Sequence, residues 1–545
     1  MTVADGAATL KGPTRISSAD GRYVLLLEGG VDGDSLLAAF RTAGRACFGP
    51  LTGAFVCAVL DTVARRLTLA RDHFGMKSLF YARTGEGLAF ASTIGVLLPA
   101  LPARAADPQA LRDFLVDGVT DHAPYTMFAH VHAVPPAHVV EIDLARPLRV
   151  DPVPYWQPGL THESDVSLAH AAERCRELFL ESVDRSGADW TGAMLSGGTD
   201  TSAIVMALRH ERGPATAIHT FSYIGADGAV SEEPWIDVVN KAAHAVPHKL
   251  WLHPEEWAAD IDSLVELQGE PFGTIAVAAQ HRLYRLAASA SLEALLSGVG
   301  ADELMGGHVS ARLASLMRRG SWVTAARLAR RGTRWVRVLA QAAAMALPER
   351  VTTMTARAVR RRPSIDWHWL QSRGAPPGAP WWAGASEYGV LRSMLWRAVR
   401  QGLPAVLRYE DRNAAAAGLS VRFPFLTPTL AELVLALPEE HVVADDGRGK
   451  AIFRAAMRGL VPDAVLDRKD KIGFSVPVQS WALKLPTVAG LLELVQQIPA
   501  VDRRGVAPLL AAIRGRRTLP LRESFVVWRL VGLAAWAQRF NVTFV

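Results

Sequence analysis

The first ninety positions alternate short apolar runs with turn residues. RYVLLLEGG (22–30), GAFVCAVLD (53–61), RLTLARD (66–72) and SLFYAR (78–83) are β-rich segments punctuated by Gly or Asp. GDSLLAAFRTAG (33–44), lying between the first two, reads as a helix. This region is α+β and ends near the proline-rich VDPVPYWQPG (150–159), which reads as a linker.

From about residue 160 the texture changes to long Ala/Leu/Arg helical patterns separated by short β-like runs. Those runs are GAMLS (192–196), AIHTFSYIG (217–225), HKLWLH (248–253) and LEALLSG (292–298). Strands spaced by helices predict a parallel, doubly wound sheet. After residue 308 the pattern is almost wholly helical, and no short internal repeat is visible. The stretch 312–362 is rich in arginine: Arg318, Arg319, Arg330, Arg331, Arg334, Arg337, Arg360, Arg361 and Arg362. It reads either as solvated helix faces or as a basic groove for an acidic or peptidic partner. RGAPPGAPWWAG (373–384) reads as an ordered surface loop.

A chain of 545 residues calls for two or more domains. With 50% apolar and 21% charged residues it has globular composition, neither disordered nor membrane-like. The net charge of +6 is small for the length and points to no nucleic-acid partner. Cys47, Cys57 and Cys175 form no CxxC pair, which suits a reducing cytosol and argues against a disulfide framework or a structural zinc site. MTVADGAATLKGPTRISS (1–18) lacks the apolar core of a signal peptide. FVVWRLVGLAAWAQRF (525–540) is broken by Arg529 and falls short of the roughly 20 apolar residues a span needs, so it reads as a buried helix. A cytoplasmic protein with no membrane span is expected.

The chemistry is concentrated in AMLSGGTDTSAIVMALRHE (193–211), where an apolar run meets two glycines and then a helical pattern. In a parallel sheet, ligands sit where the C-terminal ends of strands give way to loops. Gly197 and Gly198 let backbone N–H groups approach phosphate oxygens, and the following helix offers its positive N-terminal end. Hydroxyls of Ser196, Thr201 and Ser202 add donors. A carboxylate among phosphates repels them, so Asp200 makes sense there only if it holds Mg²⁺. There is no GKS or GKT, which excludes the loop of kinases and GTPases.

SGGTDTS (196–202) resembles the pyrophosphate loop of ATP pyrophosphatases, which split ATP into AMP and pyrophosphate to activate a carboxyl or carbonyl group. Over nearly its whole length the chain resembles the asparagine synthetase superfamily. GPLTGAFVCAVLDTVARRLTLARDHFGMKSLFYAR (49–83) is similar to the back half of its N-terminal glutaminase-type domain, and LSGVGADELMGGH (296–308) to its second ATP-site loop. LRYEDRNAAAAGLSVRFPFLTPTL (407–430), DGRGKAIFRAAMRGLVP (446–462) and DRKDKIGFSVPVQSWA (467–482) follow its C-terminal helical motifs in order. The resemblance implies an α/β protein. Residues 1–155 would be a trimmed, inactive Ntn-glutaminase-like α+β domain. Residues 156–545 would be a parallel-sheet ATP-pyrophosphatase synthetase domain with a helical C-terminal part.

Carried over by position, the resemblance implies that Ser196, Gly197, Gly198, Asp200, Thr201 and Ser202 hold pyrophosphate and Mg²⁺. Leu195 and Tyr223 would contribute to the nucleotide pocket, Ser297 and Gly298 would lie on its ribose or base side, and Asp302 would be the second metal carboxylate. Lys450, and secondarily Lys471, would neutralise phosphate or the charge that develops during amide formation.

The departures carry information too. Working glutaminases of this superfamily begin Met-Cys-Gly-Ile, whereas here Thr2, Val3 and Ala4 follow the first residue. The arginine-glycine-proline-aspartate and asparagine-glycine-glutamate stretches of a glutamine site are also absent, while Cys47 and Cys57 read as core. Without glutaminase, the amine is expected from the substrate itself. The second loop has Val299 where asparagine synthetases carry glutamate and β-lactam-forming synthetases tyrosine. Ser420 and Thr427 replace the family's usual glutamate and aspartate, changes expected to alter the acceptor side of the site. An apolar residue in SGxG before GADEL, a short N-terminal domain and an Arg/Trp-rich insertion at 312–384 resemble the lasso peptide macrolactam synthetases. That resemblance implies cyclisation of a precursor peptide with ATP and Mg²⁺, alongside a partner leader peptidase. An ammonia-using asparagine synthetase, a β-lactam-type synthetase and an inactive scaffold are the alternatives.

Overall fold

A computed structural model describes residues 2–4, 7–9, 14–85, 87–145, 150–160, 164–186, 192–225, 231–330, 335–347, 362–377, 389–468 and 478–545. The N-terminal region forms two antiparallel sheets. In one, Phe55–Asp61 pairs with Arg66–Arg71, setting Ala58 opposite Leu69 and Leu60 opposite Leu67. These residues face the second sheet, where Leu79, Tyr81, Leu88 and Phe90 complete a sandwich core. Alternation turns Leu25, Leu27, Phe55, Cys57 and Val59 to the opposite face, which the helix Gly33–Ala43 covers with Leu36 and Leu37. Asp32 caps that helix by accepting from Ser35 N–H at 2.9 Å.

The proline-rich segment is more ordered than a linker. Pro152–Pro154 forms an edge strand against His138–Asp143. Prolines lack an N–H to donate, and an edge tolerates that loss. Beyond it, Tyr155 donates from its hydroxyl to Arg71 O at 2.7 Å, and Trp156 donates to Glu432 at 2.9 Å. Trp156 also packs edge-on against His73 and Trp396. The crossing between the two halves is thereby tied to both.

The second half is built on a five-stranded parallel sheet, ordered Val246–Trp251, His219–Ile224, Gly192–Met194, Ala294–Leu296 and Ser420–Arg422. All four β-like runs found in the sequence become its strands. The fifth strand, Ser420–Arg422, lies within the stretch that reads as helical; three residues are too few for a period-2 pattern to show. Beyond residue 308 the remaining regular structure is helical among the described residues.

The apolar stretch near the C-terminus is the helix Leu521–Phe540, with Val527, Trp528, Val531, Leu533 and Trp536 buried. Trp536 packs on Phe128 of the N-terminal region at 5.0 Å, so one core runs through both halves. Arg529, which interrupts the apolar run, donates to Val116 O at 2.7 Å. Among the described residues no helix is long and apolar enough to cross a membrane.

Candidate active site

The strand Gly192–Met194 runs into Leu195, whose N–H donates to Phe221 O at 2.9 Å, and the chain then turns sharply. Gly197 makes the turn at φ 70°, where a Cβ would stand 2.8 Å from Trp235 Cβ. Only glycine fits this combination of left-handed backbone and close approach. Gly198 is the N-cap of the 14-residue helix Thr199–Arg212 and offers no side-chain cap. The first-turn N–H groups, which have no intrahelical acceptor, are therefore available to an anion. Thr201 ties the loop together: its Oγ1 accepts from Ser196 N–H at 3.0 Å and lies 3.1 Å from Ser196 Oγ. The second loop closes on the first, since a Cβ on Gly298 would meet Thr201 Cγ2 at 2.9 Å.

Lys450 connects the two loops. Its Nζ donates to Asp200 Oδ2 at 2.5 Å and lies 2.6 Å from Asp302 Oδ1. Burial works to lower its pKa, but the two carboxylates outweigh that and hold it above the ordinary lysine value. Lys450 adopts φ 59° at the end of a turn closed by a Val443–Gly449 bridge. A Cβ on Gly449 would lie 2.5 Å from Gly306 O, so the turn packs directly on the second loop. Arg312 pins the turn with a bond to Asp445 at 2.7 Å. Lys471 lies outside the described residues.

Leu195, Ser196, Gly198, Asp200, Thr201, Tyr223, Ser297, Gly298 and Asp302 line one cavity of about 460 Å³. Gly197 and Ser202 stand behind its wall: Ser202 is fully buried, and its Oγ has no hydrogen-bond partner. Beyond the glycine loops the walls are Val277, Leu283, Val299 and Val406, with Tyr409 and Glu410. Its charged lining residues are Asp200, Glu232, Asp302, Glu303 and Glu410, all acids. Burial raises the pKa of Glu303, and the neighbouring Asp302 adds to the effect.

Two residues at this site escaped the sequence reading. Glu410 is buried, accepts from Gln280 Nε2 at 2.6 Å and from the Tyr284 hydroxyl, and is pushed by burial up to about 7. It lies inside a quoted helical motif, but nothing local marks a helical glutamate as buried. Arg468 donates to Gly197 O at 3.2 Å, pairs with Glu232 at 2.9 Å and stacks over Trp235 at 5.1 Å. It sets a positive charge behind the loop, and the basic run DRKDK that begins at Asp467 was the signal for it.

Two further expectations are corrected. Ser420 and Thr427 do not line the cavity: Ser420 is exposed on the edge strand, and Thr427 caps the helix Pro428–Ala436. A threonine cap does what an aspartate does there, so that exchange is local. In the arginine-rich stretch, Arg318 and Arg319 are exposed. Arg331, Arg334, Arg360, Arg361 and much of the Pro/Trp segment lie outside the described residues.

Fold and site together define a nucleotide-dependent ligase domain joined to a glutaminase-like domain. The family model described as asparagine synthase matches residues 174–538, and that described as a glutamine amidotransferase domain matches residues 25–156. The chain is 26% identical over 446 residues to asparagine synthetase [glutamine-hydrolyzing] 3 of Bacillus subtilis, covering 78% of this chain and 67% of that protein. It is 26% identical over 486 residues to asparagine synthetase [glutamine-hydrolyzing] 1 of the same organism, covering 83% and 72%. A shorter likeness, 30% over 194 residues, relates 33% of this chain to 27% of a protein named amidase chry2 from Gibberella zeae. The chain belongs to the asparagine synthase family, whose members are ATP-dependent, AMP-forming carbon–nitrogen ligases.

Proposed function

We propose that this ligase is a macrolactam synthetase: it adenylates an Asp or Glu side-chain carboxylate of a precursor peptide and joins it to the N-terminal amine of that peptide. The observation that supports this reading is the cavity lining, in which the apolar Val277, Leu283, Val299 and Val406 accompany charged residues that are all acids. A free amino acid brings both an ammonium and a second carboxylate, and each requires a partner of opposite sign when buried. A peptide presents an isolated carboxylate on an apolar body and a cationic amine, which suits this lining.

In the first step the carboxylate oxygen bonds to the α-phosphorus of ATP, and the bond to the β-phosphate bridging oxygen breaks. Pyrophosphate leaves toward Gly198, Thr201 and the N–H groups of the helix Thr199–Arg212, with the Lys450 ammonium beside it. In the second step the amine, having lost its ammonium proton to solvent, bonds through its nitrogen to the acyl carbon, the bond from that carbon to the phosphate oxygen breaks and AMP departs. Glu410, which lines the cavity and has a pKa near neutrality, would take the remaining proton as the amide forms. Holding both ends of one peptide together replaces a bimolecular encounter, which supplies several kcal/mol of the barrier.

Asp200 and Asp302 fit a magnesium ion. Asp200 Oδ1 is buried with no hydrogen-bond partner, and hard oxygen donors suit this metal. No group of three or more His, Cys, Asp or Glu converges on a metal position among the described residues, so a bound Mg²⁺ would share its ligands with phosphate. There it would supply charge neutralisation for the pyrophosphate.

The convergence of Asp200, Asp302 and Lys450 argues against an inactive scaffold, and Val299 in the second loop argues against a β-lactam-type synthetase. The named relatives, asparagine synthetases described as glutamine-hydrolyzing, support equally the other reading, an asparagine synthetase-like ligase, which in this chain would use free ammonia. Release of AMP and pyrophosphate should be compared for a linear leaderless peptide and for aspartate with ammonium. Peptide-dependent AMP with a product lighter by one water supports the cyclase reading. AMP with aspartate and ammonium alone overturns it. A leader peptidase, by the same proposal, acts before this enzyme.

A further inference from the structure

The glutaminase-like half has no part in the chemistry above, yet it meets the synthetase half through buried charges. Several of these charges lie on one helix, Leu403–Ala416, where Arg408, Asp411 and Arg412 reach the other half. Arg408 donates from Nε to both oxygens of Asp121, at 3.1 and 3.0 Å, and from Nη2 to Oδ2 at 2.9 Å. Asp411 accepts from Lys77 at 2.6 Å, and Arg412 donates to Ser92 O at 2.9 Å. Side-chain exposure is 1% for Arg408 and 2% for Asp121, so this is no surface ion pair. Glu270, 3.3 Å from Arg408, accepts in turn from Met127 N–H at 2.7 Å and adds a second link between the halves. Between these anchors, Tyr409 and Glu410 face the cavity.

A line of side-chain amides connects the two sides. Arg408 donates to the backbone carbonyl of Gln268 at 2.7 Å and lies 3.5 Å from its Oε1, and Gln268 Nε2 donates to Asn413 Oδ1 at 3.1 Å. Asn413 Nδ2 donates to Gln280 Oε1 at 2.9 Å, and Gln280 Nε2 donates to Glu410 Oε1 at 2.6 Å. Asn413 and Gln280 each use the amide oxygen in one direction and the nitrogen in the other, while Gln268 joins them to Arg408 chiefly through its backbone carbonyl, so each link restrains the next. At the outer end, Asp121 holds φ 58°, a left-handed conformation uncommon for a residue with a Cβ. Such conformations persist where the surroundings over-determine them.

We propose that the glutaminase-like domain acts as a clamp on the synthetase site, with Asp121 as a positioning residue that fixes the Glu410 carboxylate through Arg408, Gln268, Asn413 and Gln280. The proposal rests on the ligase reading with Glu410 at the acceptor end. It gives the domain a role that does not depend on glutamine.

The test uses the full chain and two variants, Asp121→Asn and Asn413→Ser. The first removes the charge at the domain contact with little change in volume. The second cuts the amide line and leaves the ion pairs in place. Hydrogen exchange is read without substrate: both variants should speed exchange in 403–416 relative to the distant helix Leu168–Ser186. Turnover is read on whichever acyl donor and amine the wild type accepts. Both variants should lower kcat by about tenfold, keep KM for ATP within about twofold, and move the acid limb of the pH profile toward lower pH as water reaches Glu410. A merely structural contact would lower thermal stability and leave the pH limb where it is; that result overturns the proposal. Uniform exchange changes along the chain overturn it as well. If the wild type turns over no peptide, the macrolactam reading fails, while the exchange data and the ammonium reaction still decide the clamp. Should Asp121→Asn not fold, Asn413→Ser carries the same comparison.

Discussion

Lys450 stands between Asp200 and Asp302, with its ammonium nitrogen 2.5 Å from one carboxylate and 2.6 Å from the other. The contacts join three segments far apart in the chain, the two glycine-bearing loops and the 443–450 turn. The lysine thus ties the two loops to each other through its ion pairs. In the proposed reaction, that buried positive charge would stand beside the departing pyrophosphate.

Replacing that charge should therefore cost activity and stability by separate routes. Lys450→Met is expected to lower pyrophosphate release about 10²- to 10³-fold. The variant leaves Asp200 and Asp302 facing each other without a cation, so its melting temperature should fall. Mg-ATP should recover more of that loss than it adds to the wild type, because a ligand that binds only the native state stabilises it. Calorimetric melting with and without Mg-ATP measures the difference. Equal shifts in both proteins would show that the carboxylates do not meet the ligand.

Gly197→Ala tests the loop backbone. The new methyl would stand 2.8 Å from Trp235 Cβ at a residue with φ 70°. Strain of about 1–3 kcal/mol is expected. The loop should relieve it by shifting away from the helix N-terminus, weakening ATP at least tenfold in isothermal titration. Gly213→Ala is the control, since it also has a positive φ, 72°, but open space around its Cβ. It should lose stability without losing nucleotide.

Glutamine should not support the reaction. Of the three cysteines, Cys47 and Cys57 lie in the glutaminase-like core and Cys175 in the synthetase half, all buried. Burial pushes the Cys47 thiol up to about 11 and Cys175 up to about 12, and raises Cys57 further. A thiol nucleophile needs the opposite shift. Incubation with glutamine is expected to release no glutamate above a protein-free control, and ammonium should replace glutamine in any amide-forming assay.

The parts of the molecule that were legible in the sequence are those whose cause is local. The Ser196–Ser202 loop shows because glycine spacing, a preceding apolar run and a following helix lie within twenty residues. The first-region strands show because their alternation puts Leu60 opposite Leu67 and Ala58 opposite Leu69. What was not legible depends on long-range meeting. Resemblance put Lys450 and Asp200 at the same phosphates, but not their direct pairing across 250 positions, nor that of Arg408 with Asp121 across 287. No periodicity encodes either pair. Arg529 looked like a flaw in an apolar helix and is a tie to Val116 O, which only the packing of that helix on the first domain explains.

The pH dependence of turnover should trace to Glu410, and that of stability to Glu410 together with Glu270, which burial and the neighbouring Asp121 also push up to about 7. Burial raises the pKa of Glu410 from an ordinary 4.5 to about 7, so the folded state binds its proton more tightly than the unfolded chain does. The stability this contributes is fully present below about pH 4.5 and is lost as pH rises through about 7. A shift of that size is worth roughly 3 kcal/mol. Turnover runs the other way, because a base must be deprotonated: kcat should rise along a single limb with a midpoint near 7. Glu410→Gln keeps an acceptor for Gln280 but cannot titrate. It should make the stability profile less steep between pH 4.5 and 7, where Glu270 still titrates, lower kcat about 10²-fold or more and erase the acid limb. Urea unfolding across that range, paired with a pH–rate profile of AMP release, reads both effects in one protein. If the limb survives in Glu410→Gln, another group is the base, and the less steep stability profile would then mark Glu410 as a buried neutral acid that supports the wall without taking the proton.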